Sequence, residues 1–155
     1  MQITDLSYFL ASIASYLGLL LGIILIKFAP EEKKPGKKYF ILLKKILFFL
    51  ILVSLLFFYK VNIILTTALL FFIIVLMLNK KIDLKKSALV YFFLGIIFYL
   101  SSKILNLFII EAVLIFLFSI PTASLILNLK KRNYYAVFVK NLWFFAPVII
   151  LYFIL

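Results

Sequence analysis

Six runs of apolar residues follow one another along the chain, and lysines gather at every second junction between them. The runs lie at 6–26, 39–59, 61–78, 87–102, 104–129 and 134–155. A helix needs about 20 mostly apolar residues to cross the hydrocarbon core of a bilayer. In lipid each backbone N–H and C=O has to find its partner within the segment, so each run is expected to be an α-helix. The sequence therefore predicts an all-α, polytopic transmembrane helical bundle of six spans, one transmembrane domain over 1–155 with no soluble domain. Of the 155 residues, 68% are hydrophobic and 14% charged, against about 45–50% and about 25% in a soluble domain. A water-soluble fold of this size would leave much of that apolar excess facing water.

The basic residues set an expected orientation. All of the 17 Lys and Arg residues except Lys60 and Lys103 fall at the first, third and fifth connections. Cytoplasmic loops carry the excess of Lys and Arg, which puts both termini outside and these three connections in the cytoplasm. The connections at Lys60 and Lys103 are short enough to make the flanking spans antiparallel neighbours. The fourth run is the shortest, and snorkelling would let it borrow Leu84 to Lys86. Met1 to Asp5 lacks a basic leader region, so the first run is expected to be retained as a span. A multi-pass protein of the plasma (cell) membrane is the expectation.

The first connection contains Pro30, expected to end the first helix, and Pro35-Gly36, expected to form a tight turn. Its Lys33, Lys34, Lys37 and Lys38 would contact anionic lipid headgroups, at about 1 kcal/mol for each lysine near the surface. Orientation accounts for nearly all of the net charge of +12, so nucleic acid is not an expected partner.

Cys and His are absent. The usual thiolate and imidazole ligands and nucleophile partners are therefore missing, and no metal or other cofactor is expected. An intramembrane aspartyl dyad needs two embedded acids, whereas Asp5, Glu31, Glu32 and Asp83 fall at ends or turns. No phosphate-binding or dinucleotide fingerprint occurs. The chain is not expected to be an enzyme.

Three sets of residues stand out within the spans. Ala14, Gly18 and Gly22 recur every four residues in the first, forming a ridge that admits another helix closely, either inside the bundle or from a partner or second copy. Ser87, Tyr91, Gly95, Tyr99 and Ser102 share one face of the fourth. They would line a polar path for a small solute, or, as the favoured reading has it, place Tyr91 and Tyr99 at the two interfaces with Gly95 for packing. Glu111 is an acid well inside the fifth. A charge there costs about 2.5–3.5 kcal/mol on insertion scales, so Glu111 is expected to face the bundle, either protonated or paired. It would serve as a proton- or cation-coupling acid, or as the donor of an inter-helix hydrogen bond from a protonated carboxyl. Thr122 shares its face, and Pro121 is expected to kink the helix because it cannot donate to the Leu117 carbonyl. Lys140 is expected to reach the interface along its stem, and Asn62 and Thr66 to bond between helices.

Two functional classes remain. The expected one is an accessory, scaffold or assembly subunit packing against membrane partners, with lipid around it. The alternative is a small ion- or proton-coupled transporter or channel using Glu111. Transport usually calls for several polar residues near the midplane, and the spans carry few.

Overall fold

Thr4 starts the first helix by accepting the Ser7 N–H on its side-chain oxygen at 3.3 Å. Asp5 in the first turn and Lys27 in the last complement the helix dipole. This helix, α1, spans Asp5–Phe28, and the Ala29 N–H closes it on Leu25 O, one residue ahead of Pro30. The computed structural model of the chain describes residues 3–31, 33–62, 64, 66–68, 71, 87–127 and 134–154. Among these the regular elements are six α-helices and one 3₁₀ turn: α1, α2 (Lys33–Phe58), α3 (Ser87–Ser101), α4 (Leu105–Ile126), α5 (Tyr134–Asn141), the 3₁₀ turn Leu142–Phe144, and α6 (Phe145–Ile154). Apart from 61, 62, 64, 66–68 and 71, the third expected span lies outside the described residues. So do the lysine clusters at 80–86 and 130–132.

Four helical stretches are long and apolar enough to cross a bilayer: Asp5–Phe28, Pro35–Phe58, Leu105–Ile126 and Tyr134–Ile154. α3 is a fifth, shorter apolar helix. Outward faces carry Leu10, Leu17, Phe57, Leu89, Ile109, Trp143 and Phe153, all exposed. Apolar surface on this scale is stable against lipid and not against water. The chain is a multi-pass helical membrane protein.

Two expectations are corrected, at the start of α2 and within the last span. α2 begins at Lys33, so Pro35 and Gly36 belong to its first turns and form no separate turn. Proline fits there because the first N–H groups of a helix have no acceptor within it. α4 continues through Pro121 to Ile126 as one helix. The interruption falls in the last span, where α5 passes through the 3₁₀ turn into α6. Pro147 lacks the N–H that would bond Trp143 O.

α4 is the hub. It packs against α1, α2 and α3, with its largest contact on α1. α1 and α4 run in the same direction, since Ser15 meets Ala112 and Gly22 meets Ile120. The others run the opposite way. Ser54 meets Glu111 as Phe48 meets Phe118, and Phe98 meets Phe108 as Tyr91 meets Ser119. Likewise Tyr8 meets Val148 as Tyr16 meets Phe138. α2 and α3 are therefore parallel, and Phe58 and Ser87 lie at opposite ends of the bundle.

α2 ends at Phe58 in a tight cap. Lys60 takes a left-handed φ of 49°, its N–H bonds Phe57 O, and the Val61 N–H bonds Leu56 O. These paired bonds satisfy the last carbonyls of the helix. The Tyr59 hydroxyl then donates to Leu100 O at 2.8 Å, setting this cap beside the end of α3. The same end carries Asp5 and Tyr152, whose hydroxyl donates to the Asp5 carboxylate. Exposed Lys27, Lys37 and Lys38 lie towards the other end.

Candidate functional site

The α1–α4 seam is built from small residues. A β-carbon at Gly18 would lie 2.1 Å from Phe116 O, and one at Gly22 would lie 2.3 Å from Ile120 O. Serines bond across this close approach. Ser15 Oγ donates to Ala112 O at 3.0 Å, and Ser124 Oγ lies 3.4 Å from Gly22 O. Ala14 is not in this seam; it sits on the exposed face of α1. The contacting stripe is Ser15, Gly18 and Gly22, spaced by three and four, and it meets Ala112, Ser119 and Ala123 of α4.

The polar stripe of α3 points inward at four of its five positions, with Ser87, Tyr91, Gly95 and Tyr99 all buried. Ser102 is partly exposed and donates to Tyr99 O at 2.7 Å. The interfacial reading of Tyr91 is corrected. Its ring is fully enclosed at the centre of the bundle, and its hydroxyl donates to Ser119 Oγ at 2.8 Å. Rings of Tyr16, Phe118 and Phe144 surround it at centroid separations of 6.2–6.4 Å. Gly95 makes room for the broken last span, since a β-carbon there would lie 2.3 Å from Phe144 O. Tyr99 is buried beneath Lys103, whose ammonium lies 4.7 Å from the ring centroid.

Glu111 is fully enclosed. Its Oε1 lies 2.6 Å from Ser54 Oγ of α2, and among the described residues its Oε2 has no hydrogen-bond partner. Ser87 Oγ, Tyr99 Oη and Asn141 Oδ1 are likewise buried without one. Thr122 is buried about three turns further along α4, donates to Phe118 O at 2.9 Å, and also neighbours the Tyr91 hydroxyl. Glu111 and Thr122 therefore do not act on a common group. Pro121 is buried without interrupting the helix.

Several residues escaped the sequence reading. Lys44 belongs by sequence to the basic first connection, yet it is buried, with its ammonium 5.5 Å from the Phe118 ring centroid. Tyr8 and Tyr16 tie α1 to the last span, donating to Val148 O at 3.0 Å and Phe138 O at 2.5 Å. The spacing of Ala112, Ser119 and Ala123 was a signal that could have identified α4 as the partner of the glycine ridge. Ser54 carried no such signal, because one serine in an apolar run marks no face.

Lys37 and Lys38 are exposed, and Lys37 lines a shallow pocket with Phe40, Ser124 and Leu125. The Lys33 and Lys34 side chains lie outside the described residues. Lys140 is exposed. Asn62 and Thr66 bond locally, Asn62 Oδ1 to the Ile64 N–H and Thr66 Oγ1 to Val61 O, where inter-helix bonds were expected. Among the described residues no group of three Asp, Glu, His or Cys side chains is placed to hold a metal ion. No protein-family model, curated protein or solved structure matches the chain.

Proposed function

We propose that the chain is a six-span accessory or scaffold subunit, not an enzyme, that works by packing its helices against membrane partners. The aromatic closure of the bundle's centre is the observation that carries this reading. Tyr16, Tyr91, Phe118 and Phe144 fill the level at which a transport path would have to pass. The hydroxyls of Tyr16, Tyr91 and Ser119 there bond one another or the backbone. Such an interior suits a rigid packing unit better than a solute route, which needs polar groups lining water.

The six-span arrangement draws on the parallel course of α2 and α3. A chain that leaves α2 at one end and enters α3 at the other has to cross once more between them. We assign that crossing to the run at 61–78. The ends carrying Asp5 and Tyr152 would face outside, and the end carrying Lys27, Lys37 and Lys38 the cytoplasm of a plasma membrane. Lys33, Lys34, Lys37 and Lys38 would there meet anionic headgroups.

Crosslinking in native membranes followed by mass spectrometry tests the reading. The expected result is one membrane protein captured at fixed stoichiometry. A pH-driven flux by the purified chain alone in proteoliposomes would overturn it. That outcome would favour a proton-coupled transporter, the second reading, which the enclosed Glu111 with its unpartnered oxygen supports. In that case Glu111→Gln should abolish the flux.

A further inference from the structure

The contact between Ser54 and Glu111 has more acceptors than a single hydroxyl can serve. Ser54 Oγ lies 2.9 Å from Leu50 O, 3.0 Å from Ile51 O and 2.6 Å from Glu111 Oε1. A serine hydroxyl carries one proton. With Glu111 ionised, all three neighbours are acceptors competing for it. A fully enclosed carboxylate would then hold at most one donor, with nothing on Oε2. Buried carboxylates persist where a cation or several donors compensate the lost water.

Among the described residues, the adjoining helices place no cation and no second donor on the Glu111 carboxyl. On α2, Lys44 is about 15 Å along the axis from Ser54 and lies over the Phe118 ring. On α1, the Tyr8 and Tyr16 hydroxyls donate to backbone carbonyls of the last span, while Asp5 accepts from Tyr152. On α3, Tyr91 donates to Ser119 and the Tyr99 hydroxyl has no partner. The picture closes when Glu111 itself carries the proton on Oε1. It then donates to Ser54 Oγ, and Ser54 gives its own proton to the Leu50 and Ile51 carbonyls. The 2.6 Å separation suits either direction of donation, so the proton count decides.

We propose that Glu111 and Ser54 form a reversible proton-binding site inside the membrane, with the proton held on Glu111 Oε1 at neutral pH. The inference rests on this contact and not on the scaffold reading. The site joins α2 to the hub helix α4. Release of the proton turns the Ser54 hydroxyl from the carbonyls of its own helix towards the carboxylate.

Infrared spectroscopy of the lipid-reconstituted protein tests this, with 13C at the glutamate carboxyls. Glu31→Gln and Glu32→Gln in the same chain leave Glu111 as its one glutamate. The expected spectrum at neutral pH contains the labelled carbonyl band of a neutral carboxylic acid. That band should convert to carboxylate bands as pH rises and return as pH falls. It should move in Ser54→Ala, where the acceptor is lost. Carboxylate bands alone at neutral pH would overturn the proposal, as would a neutral-acid band that never titrates while the helices stay folded by circular dichroism. Conversion of the band by sodium at fixed pH would overturn the proton assignment in favour of a metal cation. The titration needs only the labelled glutamate, so a Ser54→Ala protein that does not fold leaves the proposal open to refutation.

Discussion

Gly18 lies so close to the Phe116 carbonyl that the smallest side chain has no place between them, a β-carbon falling 2.1 Å from the oxygen. The obstacle is helix backbone and cannot turn aside. Parallel helices α1 and α4 approach here because neither presents bulk, and nearby serines bond across the gap. In lipid, where apolar surface gains nothing by leaving the solvent, such close packing supplies most of the association energy.

Gly18→Ala should therefore destabilise the bundle by about 1–3 kcal/mol, the usual cost of overpacking. Ala14→Leu, on the exposed face four residues away, should change stability by less than about 0.5 kcal/mol. Unfolding in mixed micelles measures both. Equal effects would show that the seam lies elsewhere.

Tyr91 contributes a ring and a hydroxyl, and the two are separable. Tyr91→Phe removes the bond to Ser119 and should cost about 0.6 kcal/mol, as for other hydrogen bonds within membranes. Tyr91→Ala also empties the space between Tyr16, Phe118 and Phe144, and should cost about 3–5 kcal/mol. A large loss in Tyr91→Phe would mean that the hydroxyl does more than join α3 to α4.

Lys60 holds a backbone conformation that suits glycine. Lys60→Gly should stabilise the α2 cap by about 1 kcal/mol, the lower part of the penalty for an L-residue in the left-handed region. A rise in the thermal midpoint in detergent is expected. A fall would show that the lysine side chain stabilises this turn by more than its backbone strain costs.

The native chain has no cysteine, so single cysteines report topology directly. Lys38→Cys should react with an impermeant maleimide only after the membrane is opened, and Lys103→Cys in sealed cells. Labelling of both from one side would contradict the six-span arrangement.

Most of the described helices were legible in the sequence because helix formation in lipid is a local matter; the start of α2 and the break in the last span were not. A segment in lipid has to satisfy its own backbone, so a long apolar run marks a helix without knowledge of its neighbours. The expected run at 104–129 and the observed α4, Leu105–Ile126, differ only by end residues. Glu111 was identifiable as inward-facing because a carboxyl in hydrocarbon is costly wherever the rest of the chain lies.

Which face of each helix meets which neighbour was decided by the tertiary structure. Water normally writes that choice into a helix as an apolar stripe, but a helix apolar all round carries none. Spacing by four therefore included Ala14 with Gly18 and Gly22, although the contacting residue is Ser15, which bonds to a carbonyl 97 residues away. The same lack of a stripe left Tyr91 looking interfacial and hid Ser54 as the partner of Glu111. The interruption of the last span also depends on a distant residue, Gly95, whose missing side chain lets the Phe144 carbonyl come close. Steric fit between remote residues fixed these contacts, and fit exists only once the helices are side by side.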